Sequence, residues 1–333
     1  MKAMLCRAFG PPEAMTPAEL PPLKAGPGQV AISVKACGVN FPALLMIQNK
    51  YQFKPALPFA PGVEVAGTIK EIGEGVEMLK AGDRVAASIR VGGFAEEALA
   101  DAERCVPIPG SLSFELASCF VVAYGTSYHA LKDRARLKPG ETLVVLGAAG
   151  GVGVAAVELG AALGARVIAG ASTPERVEFA KARGASGGFV YPAAPLSKDQ
   201  QKAMAGEIKR LTGGAGADVL FDPVGDDYAE PALRAMAWQG RYLVVGFAAG
   251  RIPRIPLNLA LLKGCDILGV FWGAAIARDP KCTFADLSLL ADWIAKGKLK
   301  PHISAKFPLE RAGEALRLLM DRGACGKIVV TMA

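Results

Sequence analysis

The run Gly147-Ala148-Ala149-Gly150-Gly151-Val152-Gly153 follows the apolar residues Leu143-Val144-Val145-Leu146 and leads into Val154-Ala155-Ala156-Val157-Glu158-Leu159. An apolar extended run, a tight turn of small residues and a helix pattern together make a site for the pyrophosphate of a dinucleotide. Small residues serve there because the turn is sharp and the backbone must approach the phosphates closely. The helix N-terminus adds unpaired N–H groups and the positive end of a dipole. The candidate phosphate contacts are Ala149, Gly150, Gly151, Val152 and Gly153. Ala148 fills the first slot of the usual G-x-G-x-x-G, so the turn is slightly altered.

Residues 143 to 171 carry only Glu158 and Arg166 as charges, which also describes a buried core segment or a membrane span. Glycines interrupt the run and alternating strand-length and helix-length patterns follow it, so a span is rejected. Arg166 to Ala171 reads as a second strand. Ser172-Thr173-Pro174-Glu175-Arg176 reads as a helix start, with a hydroxyl cap and Pro in the first turn. Sites that prefer NAD place an acid near the end of that strand to bind the ribose 2′-hydroxyl. Gly170, Ala171 and Ser172 occupy the region here, and Arg176 lies one helical turn away, able to pair with a 2′-phosphate. Glu175 reads as ordinary first-turn capping. The expected cofactor is therefore NADPH.

These residues need elements to hold them. A chain of 333 residues with 52% hydrophobic content supports two folded domains. Its net charge of +7 suits an anionic ligand but is spread along the sequence, without the basic-aromatic stripe of a nucleic-acid groove. The seven cysteines are scattered with no C-x-x-C pair, which points to free thiols in a reducing cytoplasm. No secretory signal is read at the N-terminus.

Residues 1–122 are rich in Gly and Pro, with short strand-like runs at Val30 to Val34, Val63 to Ile69, Arg84 to Ile89 and Phe94 to Leu99. They read as an irregular β-rich domain. From 123 to 273 strands and helices alternate, with further strands at Gly188 to Tyr191, Asp218 to Val224, Arg241 to Phe247 and Asp266 to Phe271. That spacing predicts a doubly wound parallel sheet. Residues 274–333 change pattern, with helices around Thr283 to Ala295 and Leu309 to Met320, an extended His302 to Phe307 and a last strand Lys327 to Thr331. This return segment is expected to complete the first domain. The whole is α/β, a Rossmann domain inserted in a β-rich one.

Several motifs occur in order: Cys37-Gly38-Val39-Asn40-Phe41-Pro42, Gln48-Asn49-Lys50-Tyr51, Pro58 to Glu64, Gly82-Asp83-Arg84-Val85, Gly92 to Glu96, Gly147 to Gly153, Asp222-Pro223-Val224-Gly225, Val244 to Phe247 and Gly326-Lys327. The chain thereby resembles the zinc-free NADPH:quinone oxidoreductase (zeta-crystallin-like) family of the medium-chain dehydrogenase/reductase superfamily, over essentially its whole length. The resemblance implies a GroES-like catalytic domain, a Rossmann domain, a cleft where nicotinamide meets substrate, and a homodimer joined through the last Rossmann strand. Zinc members carry Cys-Gly-x-Cys-His and Gly-His-Glu, where this chain has Asn40 and Val63 at two ligand positions. The two histidines, His129 and His302, lie far apart in ordinary helix and strand patterns. No metal is expected.

The family match gives Asn40 and Tyr51 places lining the nicotinamide and substrate. By side-chain chemistry each could hydrogen-bond a developing negative oxygen, and Tyr51 could supply a proton. A turn residue and an aromatic lid are the plainer readings of the two. Thr126 is implied at the nicotinamide end, and Tyr191 beside the 2′-phosphate with Ser172 and Arg176. Gly246-Phe247 and Phe271-Trp272-Gly273 stand at carboxyl ends of expected strands, where ligands of such sheets collect. Lys327 is implied to reach the cofactor from the tail, although exposure is a lysine's default. Asn49 stands in a common Gly slot, and Ala43 stands where relatives commonly have Asp.

The expected activity is hydride transfer from NADPH to a quinone without zinc. The nearest alternative is reduction of an alkenal, enone or enoyl thioester, since either acceptor takes hydride without a Lewis acid. A non-catalytic NADPH-binding protein with an RNA-binding or structural role is the third reading.

Overall fold

The structure, a computed structural model, describes all 333 residues. They form two units, Met1–Gly125 with Gly273–Ala333, and Thr126–Trp272. The first unit opens with an antiparallel pair, β1 (Lys2–Leu5) and β2 (Thr16–Glu19). It continues with β3 (Gln29–Val39), helix α1 (Phe41–Ile47), β4 (Glu64–Ile72), β5 (Arg84–Ser88), β6 (Glu97–Asp101) and β7 (Cys105–Pro107). Helices α2 (Phe114–Ala117) and α3 (Val121–Tyr128) follow.

The second unit alternates strictly. Its elements are β8 (Thr142–Val145), α4 (Gly151–Ala162), β9 (Arg166–Ala171), α5 (Pro174–Lys181), β10 (Gly187–Val190), α6 (Lys198–Leu211) and β11 (Ala217–Asp222). Then come α7 (Ala229–Arg234), β12 (Met236–Val244), α8 (Asn258–Lys263) and β13 (Asp266–Gly269). The strands order as β10-β9-β8-β11-β12-β13, and every pairing is parallel. This is a doubly wound Rossmann sheet, whose order reverses at β8. Leu143, Val144, Val145 and Leu146 are fully buried, as a central parallel strand covered on both faces requires.

The chain ends with α9 (Trp272–Arg278), α10 (Pro280–Ala295), β14 (Ile303–Pro308), α11 (Ala312–Met320) and β15 (Lys327–Thr331). β15 pairs antiparallel with β3, setting Ile328 against Val39 and Val330 against Cys37. The tail thus enters the sheet β14-β15-β3-β4-β5-β7, with β6 also on β3.

Several strands differ from expectation, and three of the differences have a plain cause. β3 runs past Val34 to Val39, because β4 and then β15 supply ladder partners beyond Lys35. The strand expected at Phe94 to Leu99 lies at Glu97–Asp101, since the Phe94 N–H leaves the ladder for the Pro61 carbonyl. β12 stops at Val244 because the Val245 and Gly246 N–H groups turn onto the Asp222 carbonyl. No helix is long and apolar enough to cross a membrane.

Candidate dinucleotide site and a buried polar network

The turn after β8 has the shape its sequence implied. Gly147 has φ of 59°, in the left-handed region where a side chain is strained. Gly153 sits so close to the turn that a Cβ would lie 2.0 Å from the Gly147 carbonyl oxygen. Gly150 caps α4 without any side-chain hydrogen bond, and the first turn holds no acid. The N–H groups of Gly151, Val152 and Gly153 thus head a twelve-residue helix with no competing side-chain acceptor, a fit for a pyrophosphate. Ala148 is fully buried and its N–H bonds the Gly170 carbonyl on β9, so the altered slot faces the sheet.

Neighbouring residues brace the turn. The Tyr191 hydroxyl accepts the Gly147 N–H at 3.1 Å, and its buried ring lies 4.8 Å from that of Tyr228. Ser127, next to half-buried Thr126 on α3, donates to the Val152 carbonyl at 2.9 Å. Asp222, at the end of β11, accepts from the Val224 and Gly225 N–H groups at 2.8 and 2.9 Å, and from the Tyr242 hydroxyl by a short bond. Burial raises the pKa of Asp222, and burial with the adjacent Asp222 charge raises that of Tyr242 well above its usual value.

Because the sheet is parallel, the residues that follow its strands share its carboxyl edge. They include the glycine turn after β8, Ser172 after β9, Tyr191 after β10, Gly246 and Phe247 after β12, and Phe271 and Trp272 after β13. The Ala248 N–H bonds the Pro223 carbonyl, and a Cβ on Gly225 would meet the Phe247 ring at 2.8 Å, so two of these turns interlock. Phe271 is exposed and Trp272 buried. Gly273 falls in the first unit.

Ser172 is exposed, and Thr173 caps α5 by accepting the Arg176 N–H, with Pro174 at the first position. The Thr173 hydroxyl donates to Glu175 and holds that carboxyl below its usual pKa. Arg176 lies in the same first turn.

The first unit contributes a closed polar cluster. Asn40 Nδ2 donates to the Gly38 carbonyl at 3.1 Å and to Glu64 Oε2 at 2.8 Å, while Asn40 Oδ1 accepts from Lys327 Nζ at 2.5 Å. Lys327 Nζ also reaches the Val39 carbonyl and Glu64 Oε2, each at 3.2 Å. Glu64 Oε1 accepts the Val122 N–H at 2.9 Å. Glu64 is 0% exposed, Lys327 4% and Asn40 7%.

The cluster engages two residues expected at the site. Both Asn40 amide hydrogens are engaged, so the side chain is not poised to donate to a developing oxyanion. All three Lys327 hydrogens have protein acceptors, so this lysine does not take the solvent-exposed place that is a lysine's default. Tyr51 differs. It is half-buried against the core, its hydroxyl has no partner within the chain, and burial raises its pKa. Asn49 has φ of 58°, the conformation that a Gly slot would ask of it.

An alcohol dehydrogenase GroES-like domain profile matches residues 26–110, and a zinc-binding dehydrogenase profile matches residues 151–292. Quinone oxidoreductase-like protein 2 homolog of Nematostella vectensis is 38% identical over 99% of this chain and 88% of its own. The chain belongs to the quinone oxidoreductase family of medium-chain dehydrogenases/reductases. Escherichia coli quinone oxidoreductase in complex with NADPH superposes on it with a TM-score of 0.91, at 26% identity and over 99% of this chain and 100% of that one. A mycobacterial protein complexed with NADPH gives 0.92 at 27% identity, over the same shares.

One family profile is described as zinc-binding, yet the side chains present do not fit zinc. No three His, Cys, Asp or Glu residues converge anywhere in the chain. Val63 is apolar and buried, Asn40 is engaged with Glu64 and Lys327, and burial raises the Cys37 thiol far above its ordinary pKa. A catalytic zinc takes three protein side chains, and Asn40 and Val63 stand at two of those positions. His129 pairs with Asp133 at 2.8 Å on the surface of its helix.

Sequence reasoning missed Glu64 as the centre of the cluster, and Tyr242 as the partner of Asp222. The available signal for Glu64 was a lone acid at the head of the apolar run Val65 to Ile69.

Proposed function

We propose that this quinone oxidoreductase family member transfers a hydride from NADPH to a quinone, without zinc. The observation that carries the reading is the uncapped first turn of α4 against the Gly147–Gly153 turn, with no acid at the end of β9 and Arg176 one helical turn beyond. The NADPH complexes of two structural neighbours support it. When bound, NADPH supplies a hydride, and a quinone that takes one hydride and one proton becomes a hydroquinone. Gly151, Val152 and Gly153 hold the pyrophosphate by N–H groups, Ser172 and Arg176 hold the 2′-phosphate, and Thr126, Gly246, Phe247, Phe271, Trp272 and Gly273 serve the nicotinamide end. Tyr51, with an unengaged hydroxyl that stays protonated at neutral pH, donates the proton directly or through water.

The protein acts as a homodimer in the cytoplasm. The second copy covers the open edge of β13 and the exposed Trp238, Leu257, Leu261 and Leu262 near α8. Light scattering should give twice the 34.6 kDa chain mass, and a monomer would contradict this.

Ala43 is fully buried and carries no polar group, and reduction of an enone is the second reading. Steady-state turnover on 1,4-naphthoquinone and on but-3-en-2-one separates the two readings. The quinone should be reduced at least about tenfold more efficiently, roughly 1.4 kcal/mol of transition-state preference. Negligible quinone turnover beside efficient enone reduction would reverse the assignment.

A further inference from the structure

We propose that Glu64 and Lys327 are positioning residues that fix the polarity of the Asn40 side chain, so that Asn40 serves the hydride-transfer site as a hydrogen-bond acceptor only. The inference rests on the reading that Asn40 serves that site. A carboxylate must face the NH2 end of an amide and an ammonium its oxygen. Glu64 Oε2 at 2.8 Å from Asn40 Nδ2 and Lys327 Nζ at 2.5 Å from Oδ1 therefore agree on one orientation, and the Gly38 carbonyl takes the second amide hydrogen. What remains is one lone pair on Oδ1. It suits an N–H or O–H donor of the bound nucleoside and is unsuited to a substrate carbonyl.

The charges balance locally. Lys327 lies 3.2 Å from Glu64, both are buried, and Glu64 Oε1 is fixed by the Val122 N–H, so neither end of the carboxylate can swing. The four groups come from the end of β3, the heads of β4 and β15, and α3, which makes the amide orientation a property of the whole sheet edge.

The test compares Lys327→Met, Glu64→Gln, the double variant and Asn40→Ala, each as full-length protein with turnover on 1,4-naphthoquinone expressed per NADPH-binding site. In the double variant the amide oxygen introduced at position 64 still accepts the Val122 N–H, the new NH2 group then faces Asn40, and no buried charge is left alone. The Asn40 amide should flip in a folded protein. We expect Lys327→Met and Glu64→Gln each to lose thermal stability, because one buried charge remains unpaired. The double variant should recover the melting temperature while kcat per site stays at least about tenfold below that of the unaltered protein. A double variant within about threefold of the unaltered kcat per site, beside an Asn40→Ala variant that is impaired, would overturn the positioning role alone. An Asn40→Ala variant that is itself unimpaired would overturn the reading of Asn40 and the proposal with it.

Discussion

At the residue scale the division of labour falls between two polar side chains that share a stretch of the first unit. The Asn40 amide hydrogens and the Lys327 ammonium are closed into a cluster with Glu64, whereas the Tyr51 hydroxyl is open. Burial penalises the phenolate, so Tyr51 keeps its proton below the ordinary tyrosine range and any contribution it makes is lost only as pH rises through its raised value. Tyr51→Phe should lower kcat by about tenfold or more, with a ratio to the unaltered enzyme that stays constant from about pH 6 to 9. A ratio that varied across that span would assign the proton to another group. The sequence showed Asn40 and Lys327 as polar residues in family positions but not what they touch. Their partners stand 24 residues away for Asn40 to Glu64 and 287 for Asn40 to Lys327, and the β3–β4 and β3–β15 pairings bring them together.

At the element scale the glycine turn after β8 was the most legible feature, because its requirements are local. A strand of buried aliphatics, a left-handed Gly147, a Cβ-free Gly153 and a helix with no side-chain cap are all written within a short stretch of neighbouring residues. Gly153→Ala should weaken NADPH binding by about tenfold or more, since the added carbon would sit 2.0 Å from the Gly147 oxygen and must push α4 away from the turn. Fluorescence titration of NADPH reads this, and unchanged affinity would show that the turn does not hold the pyrophosphate. Strand ends were less legible. β12 stops short of Gly246-Phe247 because Val245 and Gly246 bond back to Asp222, a contact between separate strands that no local pattern encodes.

At the scale of the whole molecule, the alternation of elements was enough to expect a parallel sheet, and the observed order β10-β9-β8-β11-β12-β13 places the residues after each strand along one edge. A tail rejoining the first domain was expected, but its pairing with β3 was not legible, since periodicity fixes neither partner nor direction of a strand. Thiol chemistry reports on the packing of the complete chain. Of the seven cysteines, Cys282 is exposed, Cys325 half-buried, and Cys6, Cys37, Cys105, Cys119 and Cys265 are buried. Burial pushes Cys105 and Cys119 up to about 12, so neither offers thiolate at neutral pH. A thiol reagent should modify Cys282 and Cys325 in the native protein and the remaining five only after unfolding. Rapid reaction of Cys37 or Cys119 would mean that the sheet edge around Glu64 opens readily.

The claim on which the rest depends is hydride transfer from NADPH with no metal. It is tested most directly by following NADPH oxidation with 1,4-naphthoquinone after exhaustive treatment with a zinc chelator, with metal content measured on the same sample. Turnover should be unchanged and zinc substoichiometric. Loss of turnover on chelation, restored by added zinc, would contradict the account.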